Sequence, residues 1–189
     1  ALDKGNAGNI TLKVGNLLVR DSSQIGVGTF ADGNGGNLTV IAADSVEIAG
    51  DGGLFSSTLG EGNAGNMTLK VNNLFIKDGS QVTTGTFAGG NGGNLTVIAA
   101  DSVEIVGFDL DGPSGLFSAA EKGSTGDAGD LNINVNQINI LERARISATN
   151  VGSGNAGNLN INADKISADN QGNIQATVVA GDQGNINLN

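Results

Sequence analysis

The phrase GNAGN at residues 5–9 decides the fold, because it occurs seven times in this chain in closely related forms. The copies start at Gly5, Gly33, Gly62, Gly90, Gly126, Gly154 and Gly181. Successive starts are 28, 29, 28, 36, 28 and 27 residues apart. A nearly constant period of this length indicates a solenoid, in which each repeat forms one turn of a stack. We call each turn a rung and the recurring phrase the corner phrase.

Within each repeat, apolar residues alternate with polar ones. The first repeat shows this at Ile10, Leu12, Val14, Leu17, Val19 and Ile25. Alternation with a period of two is typical of strands, and no helical period of 3.6 fits. The pattern predicts three short strands per rung, separated by Gly, Asn, Asp and Ser. We therefore expect an all-β protein, a single-stranded parallel β-helix of about six rungs. Residues 1–189 would form a single β-solenoid segment of a longer repeat protein.

The composition excludes several classes of function. Hydrophobic residues make up 38% of the chain but aromatic residues only 3%, so Ile, Leu, Val and Ala must fill a narrow core. A formal net charge of −10 argues against nucleic acid, since phosphate binding needs clustered Lys and Arg. The chain has no Cys and no His, which excludes disulfides and the commonest general base and metal ligand. No apolar run is long enough to span a membrane, and we expect no cofactor.

The corner phrase itself contains candidate site residues. We expect its glycines to permit a positive φ angle at the corner. The second polar residue of each phrase should stack on its counterparts as a corner ladder, with hydrogen bonds from rung to rung that satisfy corner backbone groups. The ladder consists of Asn9, Asn37, Asn66, Asn94, Asp130, Asn158 and Asn185. The alternative for these residues is binding of a ligand or of calcium.

Several phrases resemble a known family. GNAGNITLKVGNLLVRDSSQI, GNGGNLTVIAADSVEI and GNAGNLNINADKISA are similar to the repeat region of filamentous-haemagglutinin-like exoproteins, in particular the versions abundant in cyanobacteria. The similarity covers essentially the whole chain. It implies a right-handed parallel β-helix, export by two-partner secretion through an outer-membrane barrel, and a role as an adhesin or as a cell-surface or biofilm structure.

The largest break in the repeat is an insertion in the fourth rung, at residues 108–115. It adds five residues before Leu116 and two after it, and it holds the only proline, Pro113. Long loops on a rigid scaffold often carry function. Asp109 and Asp111 have the spacing of the first two ligands of a calcium loop, but Pro113 occupies the third position, so they are weak metal candidates. We expect a solvated loop that decorates the rod.

The densest charge cluster is Glu142, Arg143 and Arg145. Glycoside cleavage needs two suitably placed carboxylates, and no such pair is evident. We therefore expect no enzyme and interpret the cluster as a charged outer face. The alternative is a carbohydrate-binding or polysaccharide-active β-helix, which would require an acid-lined cleft beside the insertion or exposed aromatic rings, for which Phe75 and Phe108 are the only plausible suppliers.

These observations favour a structural or adhesive segment of a secreted or cell-surface fibrous protein, such as an adhesin, a biofilm component or an extracellular filament. We expect it to lie outside the cell or on its outer surface. The expected partners are the chain itself, by end-to-end stacking or as part of a longer chain, and surface glycans or other cell-surface molecules. Repeated weak contacts along a rod gain strength from multivalency.

Overall fold

The structure is a computed structural model that describes residues 5–110 and 112–189. Every element it contains is a strand. The strands are β1 Ile10–Val19, β2 Gln24–Thr29, β3 Leu38–Ile48, β4 Gly53–Thr58, β5 Met67–Lys77, β6 Gln81–Thr86, β7 Leu95–Val106, β8 Phe108–Asp109, β9 Gly112–Pro113, β10 Gly115–Ala120, β11 Leu131–Leu141, β12 Arg145–Asn150, β13 Leu159–Ala168, β14 Asn173–Val178 and β15 Ile186–Leu188. The prediction of an all-β protein is therefore confirmed.

The strands stack into two parallel sheets that run along the whole solenoid. The first sheet has the order β1-β3-β5-β7-β11-β13-β15, and the second has the order β14-β12-β10-β6-β4-β2. Each rung contributes one strand to each sheet and pairs with the rung before and the rung after it. The result is a parallel β-solenoid of six rungs, with β15 opening a seventh. At the strand spacing of a sheet, six rungs make a rod roughly 30 Å long.

The first two of the three strands expected in each rung form one continuous strand with a bend. In β1 the pairing with β3 shifts between Val14 and Asn16, and the same irregularity recurs in later pairs of rungs. Such a bulge turns the chain without ending the ladder. The bend of β3 holds one residue more than the bend of β1, which explains why the second repeat is 29 residues long and the first 28.

The core is a set of stacked columns of aliphatic side chains. The first column follows the corner phrase, and its interior members Leu38, Met67, Leu95, Leu131 and Leu159 are all 0% exposed. Side chains of the same size in register fill the interior without large rings, and close packing of this kind is the usual state of protein interiors. In the outermost rungs Ile10 is half-buried and Ile186 is exposed.

The role predicted for the corner glycines is wrong. Among the glycines of the corner phrases only Gly181 has a φ in the left-handed region. The others are required by close approach of the backbone: a Cβ on Gly36, Gly65 or Gly93 would overlap the carbonyl oxygen of the equivalent glycine one rung below. Positive φ angles occur instead at the turn before the second sheet, mostly at non-glycine residues such as Asp21 and Glu142.

The tight packing of the core columns predicts how much stability is lost when a buried side chain is shortened. We expect Leu95→Ala to lower the free energy of unfolding by about 3 kcal/mol, because the side chain is fully buried between two rungs. The matched control is Ile98→Ala on the same strand β7, since Ile98 is 39% exposed. Urea denaturation measures both variants, and equal losses would contradict the assignment of the two faces.

The close approach of the corner glycines gives a second test. We expect Gly93→Ala to cost about 2 kcal/mol or more, because the new methyl group would force two rungs apart. Gly8→Ala is the control at the equivalent position of the first rung, where a Cβ would meet no atom within 4 Å. Thermal denaturation of the two variants should separate them clearly, and a Gly93→Ala protein as stable as the original would refute the steric explanation.

Candidate functional surfaces

The corner ladder connects successive rungs through side-chain oxygens. The Oδ1 atom of each of the first six members accepts a hydrogen bond from the backbone N–H of its counterpart one rung further along. The donor–acceptor distances for Asn37, Asn66, Asn94, Asp130, Asn158 and Asn185 as donors are 2.7, 2.9, 2.8, 2.8, 2.7 and 3.1 Å. The bonds satisfy backbone donors at a position where the chain has no strand partner.

Sequence reasoning missed a second ladder of the same kind, formed by the first polar residue of each phrase. We call it the companion ladder. Its members Asn6, Asn34, Asn63, Asn91, Asp127, Asn155 and Asp182 repeat the same side-chain-to-backbone bond, at 2.7–3.0 Å. The signal was present in the sequence, because both polar positions of the phrase recur with the same period.

The chemistry of these bonds explains the residue choice. Only an oxygen acceptor on a short side chain is required, and both Asn and Asp supply one. Asp127 and Asp130 therefore replace Asn without breaking either ladder. The Oδ1 atoms from Asn9 to Asn158 each accept from a backbone N–H, which supports a structural role for the ladder.

Buried hydroxyl groups form hydrogen bonds to the corner phrase from inside the solenoid. Ser56, Thr84 and Ser118 point inward from the second sheet, are 0% exposed, and donate to carbonyl oxygens of corner glycines. Ser56 Oγ lies 2.7 Å from the oxygen of Gly65. Because these hydroxyls are hydrogen-bonded, the core avoids the free-energy cost of a buried polar group without a partner. The sequence analysis does not single out these residues, although each follows a buried apolar residue by two positions, after Leu54, Val82 and Leu116.

The ladder predicts unequal effects of two substitutions at one position. We expect Asn66→Ala to lower the free energy of unfolding by about 1–2 kcal/mol, because the N–H of Asn94 loses its acceptor. Asn66→Asp should cost less, since the acceptor oxygen remains. Chemical denaturation distinguishes them, and an Asp variant as unstable as the Ala variant would contradict the acceptor-only explanation.

The insertion folds as a small hairpin on the side of the rod, where a solvated loop was expected. Strand β8 pairs antiparallel with β9, with Phe108 opposite Pro113 and Asp109 opposite Gly112. Leu110 near the tip is fully exposed, at 105%. A Cβ on Gly79 would meet the carboxyl groups of Asp109 and Asp51, so the Asp109 side chain lies against the preceding rung.

The calcium candidates receive no further support. Asp111 lies outside the described residues. Within residues 5–110 and 112–189, no group of three or more Asp, Glu, His or Cys side chains is close enough together to hold a metal ion.

A cleft of about 590 Å³ lies between the hairpin and the two rungs that follow it. We call it the arginine cleft. Phe108 and Pro113 of the hairpin, Arg143 and Arg145 of the fifth rung, and Gln171 and Asn173 of the sixth rung line it. The guanidinium carbon of Arg143 lies 3.7 Å from the centre of the Phe108 ring, a cation–π contact that holds the side chain against the hairpin.

Arg145 connects this cleft to a second one. The smaller cleft, of about 240 Å³, continues over the outer face of the second sheet and also includes Pro113 and Phe117. Phe117 lies over Gly115, where a Cβ would collide with its ring. The Nε atom of Arg145 is buried and has no hydrogen-bond partner among the described residues. The two clefts form one groove with Arg145 between them.

The cleft beside the insertion differs from the acid-lined one that a polysaccharide-active enzyme would need. Among the described residues that line it, Asp109 is the one carboxylate, while two are arginines. Glycoside hydrolysis by two carboxylates has no counterpart in this set. The sequence predicts a charged outer face for the same arginines, whereas in the structure they line this cleft.

An exposed apolar column runs beside the second sheet and was not predicted. From the second rung onward, each strand of that sheet is followed by a residue whose backbone N–H bonds to the rung below, and Phe30 holds the same position in the first rung. The apolar members Phe30, Leu59, Phe87, Val151 and Val179 are 67, 49, 50, 37 and 71% exposed. Glu121 interrupts the column at the fourth rung. The expectation that only Phe75 and Phe108 supply exposed rings is therefore wrong, since Phe30 and Phe87 are also exposed and Phe75 is half-buried.

The first sheet carries a charge cluster across three rungs. Glu47 Oε1 accepts from Arg20 on the rung below and from Lys77 on the rung above, each at 2.8 Å. The Lys77 ammonium and the Arg20 guanidinium hold the pKa of the Glu47 carboxyl below its ordinary value. These are the ion pairs found within the part of the chain that the structure describes.

The lowered pKa predicts a pH-dependent contribution to stability. We expect Glu47→Gln to lower the free energy of unfolding by at most about 1 kcal/mol near pH 7, since the partners are exposed to solvent. The contribution is complete above the unfolded-state pKa and is lost as the pH falls through the lower folded-state pKa. The original and the variant should therefore converge in stability at acid pH.

Glu104→Gln provides the matched control for this measurement. Glu104 occupies the same position in a 16-residue segment identical to that around Glu47, at residues 33–48 and 90–105. It has no ion pair with any described residue. Thermal denaturation between pH 3 and 8 should show the effect at Glu47 alone, and the same curve for both variants would refute the role of the cluster.

No family model, curated protein or solved structure matches the chain. In the described residues, no helix is long and apolar enough to cross a membrane.

Proposed function

We propose that this chain is a structural and adhesive segment of a secreted or cell-surface fibrous protein, of the filamentous-haemagglutinin-like type. The observation that carries the proposal is the continuity of both parallel sheets through every rung. A stack of this kind transmits force along its axis through backbone hydrogen bonds, and its contacts are between neighbouring rungs. Such a rod suits projection and display.

The outer faces support the adhesive part of the proposal. The same kind of side chain returns at the same place on successive rungs, as in the exposed apolar column and in the amide pairs Asn132–Asn160 and Asn160–Asn187, bonded at 2.9 and 2.7 Å. Repeated sites at a short, fixed spacing favour multivalent attachment, in which many weak contacts add up.

The open edges of the first sheet favour self-association by end-to-end stacking, with a second copy of the chain as the partner. In the described structure β1 and β15 are the outermost strands of the first sheet, and each has a neighbour on one side only. An unpaired strand edge is a template for a further strand. The partner strand would come from a second copy or from a further part of a longer chain.

Stacking predicts that a charge at the edge prevents association. We expect the chain to sediment as a concentration-dependent series of species, and Leu188→Lys on β15 to shift it toward the monomer. Leu110→Lys at the hairpin tip is the control, with the same charge change at another exposed leucine. Electron microscopy of the same samples should show rods that lengthen with concentration. A stable monomer at high concentration would overturn the self-association part of the proposal.

The proposed location is tested separately on the source organism. Antibodies raised against this chain should label intact cells or the extracellular material, and mild protease treatment of intact cells should remove the signal. Labelling that requires permeabilised cells would overturn the proposed location.

Carbohydrate binding is the second candidate function, and the arginine cleft is the observation that favours it. The cleft has the size of a ligand site and combines aromatic, amide and guanidinium groups. It is compatible with the fibrous role, since a rod can carry a binding site on its side.

A further inference from the structure

We propose that the arginine cleft binds a carboxylated sugar of an acidic polysaccharide. The inference rests on the adhesive part of the proposed function and names both the place and the chemical class of the contact. The rest of the rod repeats from rung to rung, whereas this groove exists only where the hairpin departs from the repeat.

The charges of the groove are the first argument. The chain has three arginines and a net charge of −10, and two of the three arginines lie in this cleft. Arg20 is paired with Glu47, but neither Arg143 nor Arg145 forms an ion pair with a described residue. A guanidinium is suited to two parallel hydrogen bonds with a carboxylate. Two such groups beside a single carboxylate, Asp109, leave the described lining of the cleft cationic on an otherwise acidic chain, which points to an anionic ligand.

The second argument is the arrangement of the two guanidinium groups. The Phe108 ring holds Arg143 in place, so less side-chain entropy is lost when a ligand binds. Arg145 has a buried Nε–H with no acceptor among the described residues. Since that atom is closed to solvent, a ligand would bind through the terminal N–H groups of the same guanidinium, where the linings of the two clefts meet.

The surrounding groups favour a sugar over other anions. Gln171 and Asn173 are exposed on the wall of the cleft and offer amide donors and acceptors for hydroxyl groups. Phe117 lies in the adjoining cleft, where its ring offers an apolar face beside Arg145. Alternating hydroxyl groups, apolar ring faces and single carboxylates are the features of a uronic-acid chain.

The density of charge argues against nucleic acid. A duplex carries one negative charge about every 1.7 Å and is bound by many basic groups together. Two arginines on a chain with a net charge of −10 cannot neutralise the closely spaced phosphate charges of a duplex. A polysaccharide with one carboxylate per sugar places its charges farther apart and matches the two guanidinium groups.

The test measures binding of a defined oligosaccharide to the intact chain. We expect an octamer of galacturonic acid to bind saturably in calorimetry or on a glycan surface, and its methyl-esterified form, which lacks the charge, to bind at least tenfold more weakly. Arg143→Gln with Arg145→Gln should weaken binding of the acidic octamer at least tenfold. Phe108→Leu keeps the net charge and should weaken it severalfold, because Arg143 loses its ring contact.

Arg20→Gln with Lys77→Gln is the matched control, because it changes the net charge equally at an ion-pair cluster whose residues do not line the arginine cleft. We expect this variant to bind the octamer within about twofold of the original. Circular dichroism would confirm that every variant keeps its strand content. Equal losses in the two double variants would mean a non-specific charge effect and would overturn the proposal.

Other results would also overturn it. These are the absence of saturable binding by the original chain, equal binding of the methyl-esterified octamer, or displacement of the octamer by an equal concentration of inorganic phosphate, which would reduce the site to a simple anion contact. A failure of the proposed function is distinguishable from a failure of this inference, since an intracellular location would leave binding of the octamer in solution intact. Conversely, a chain without octamer affinity could still be a surface rod.

Discussion

The structure depends on one constraint, the short distance between rungs set by backbone hydrogen bonding. Parallel strands about 4.8 Å apart leave no room for a Cβ at those corner positions where the backbone lies directly on the carbonyl oxygen of the rung below. The corner phrase satisfies this constraint in two ways. Its glycines remove the Cβ atoms that would strike the carbonyl oxygens below, and its Asn or Asp residues bond to the backbone N–H groups that no strand satisfies.

The same constraint explains where variety is permitted. Inward positions stack aliphatic on aliphatic, and the buried hydroxyls of Ser56, Thr84 and Ser118 each have a corner carbonyl within reach. Outward positions are free to change from rung to rung, as the replacement of Thr96 by Asn132 at one position shows. An insertion is tolerated at the turn before the second sheet, since the strands on either side keep their register across the hairpin. Binding surfaces therefore arise on the outside and at this turn, without cost to the stack.

The arginine cleft illustrates how a repeat protein acquires a unique site. Arg143 and Arg145 belong to the fifth rung, Gln171 and Asn173 to the sixth, and Phe108 to the insertion of the fourth. Stacking brings residues more than sixty positions apart to one groove, although each is unremarkable in its own repeat. The cluster of Glu47 with Arg20 and Lys77 arises in the same way, from three rungs. In both cases the side chains that interact are neighbours along the rod axis.

The sequence alone determined the period, the strand class, the inward columns and the position of the corner ladder. Every stacked rung meets the same steric and hydrogen-bonding requirements, so the same residue types recur in every repeat. It also located the insertion and the arginines. The joining of the first two strands, the steric role of the corner glycines and the exposed rings of Phe30 and Phe87 appeared only in the tertiary structure. So did the cleft itself. These features depend on what lies one rung above or below, and the linear pattern states which residues recur without stating how closely their backbones approach.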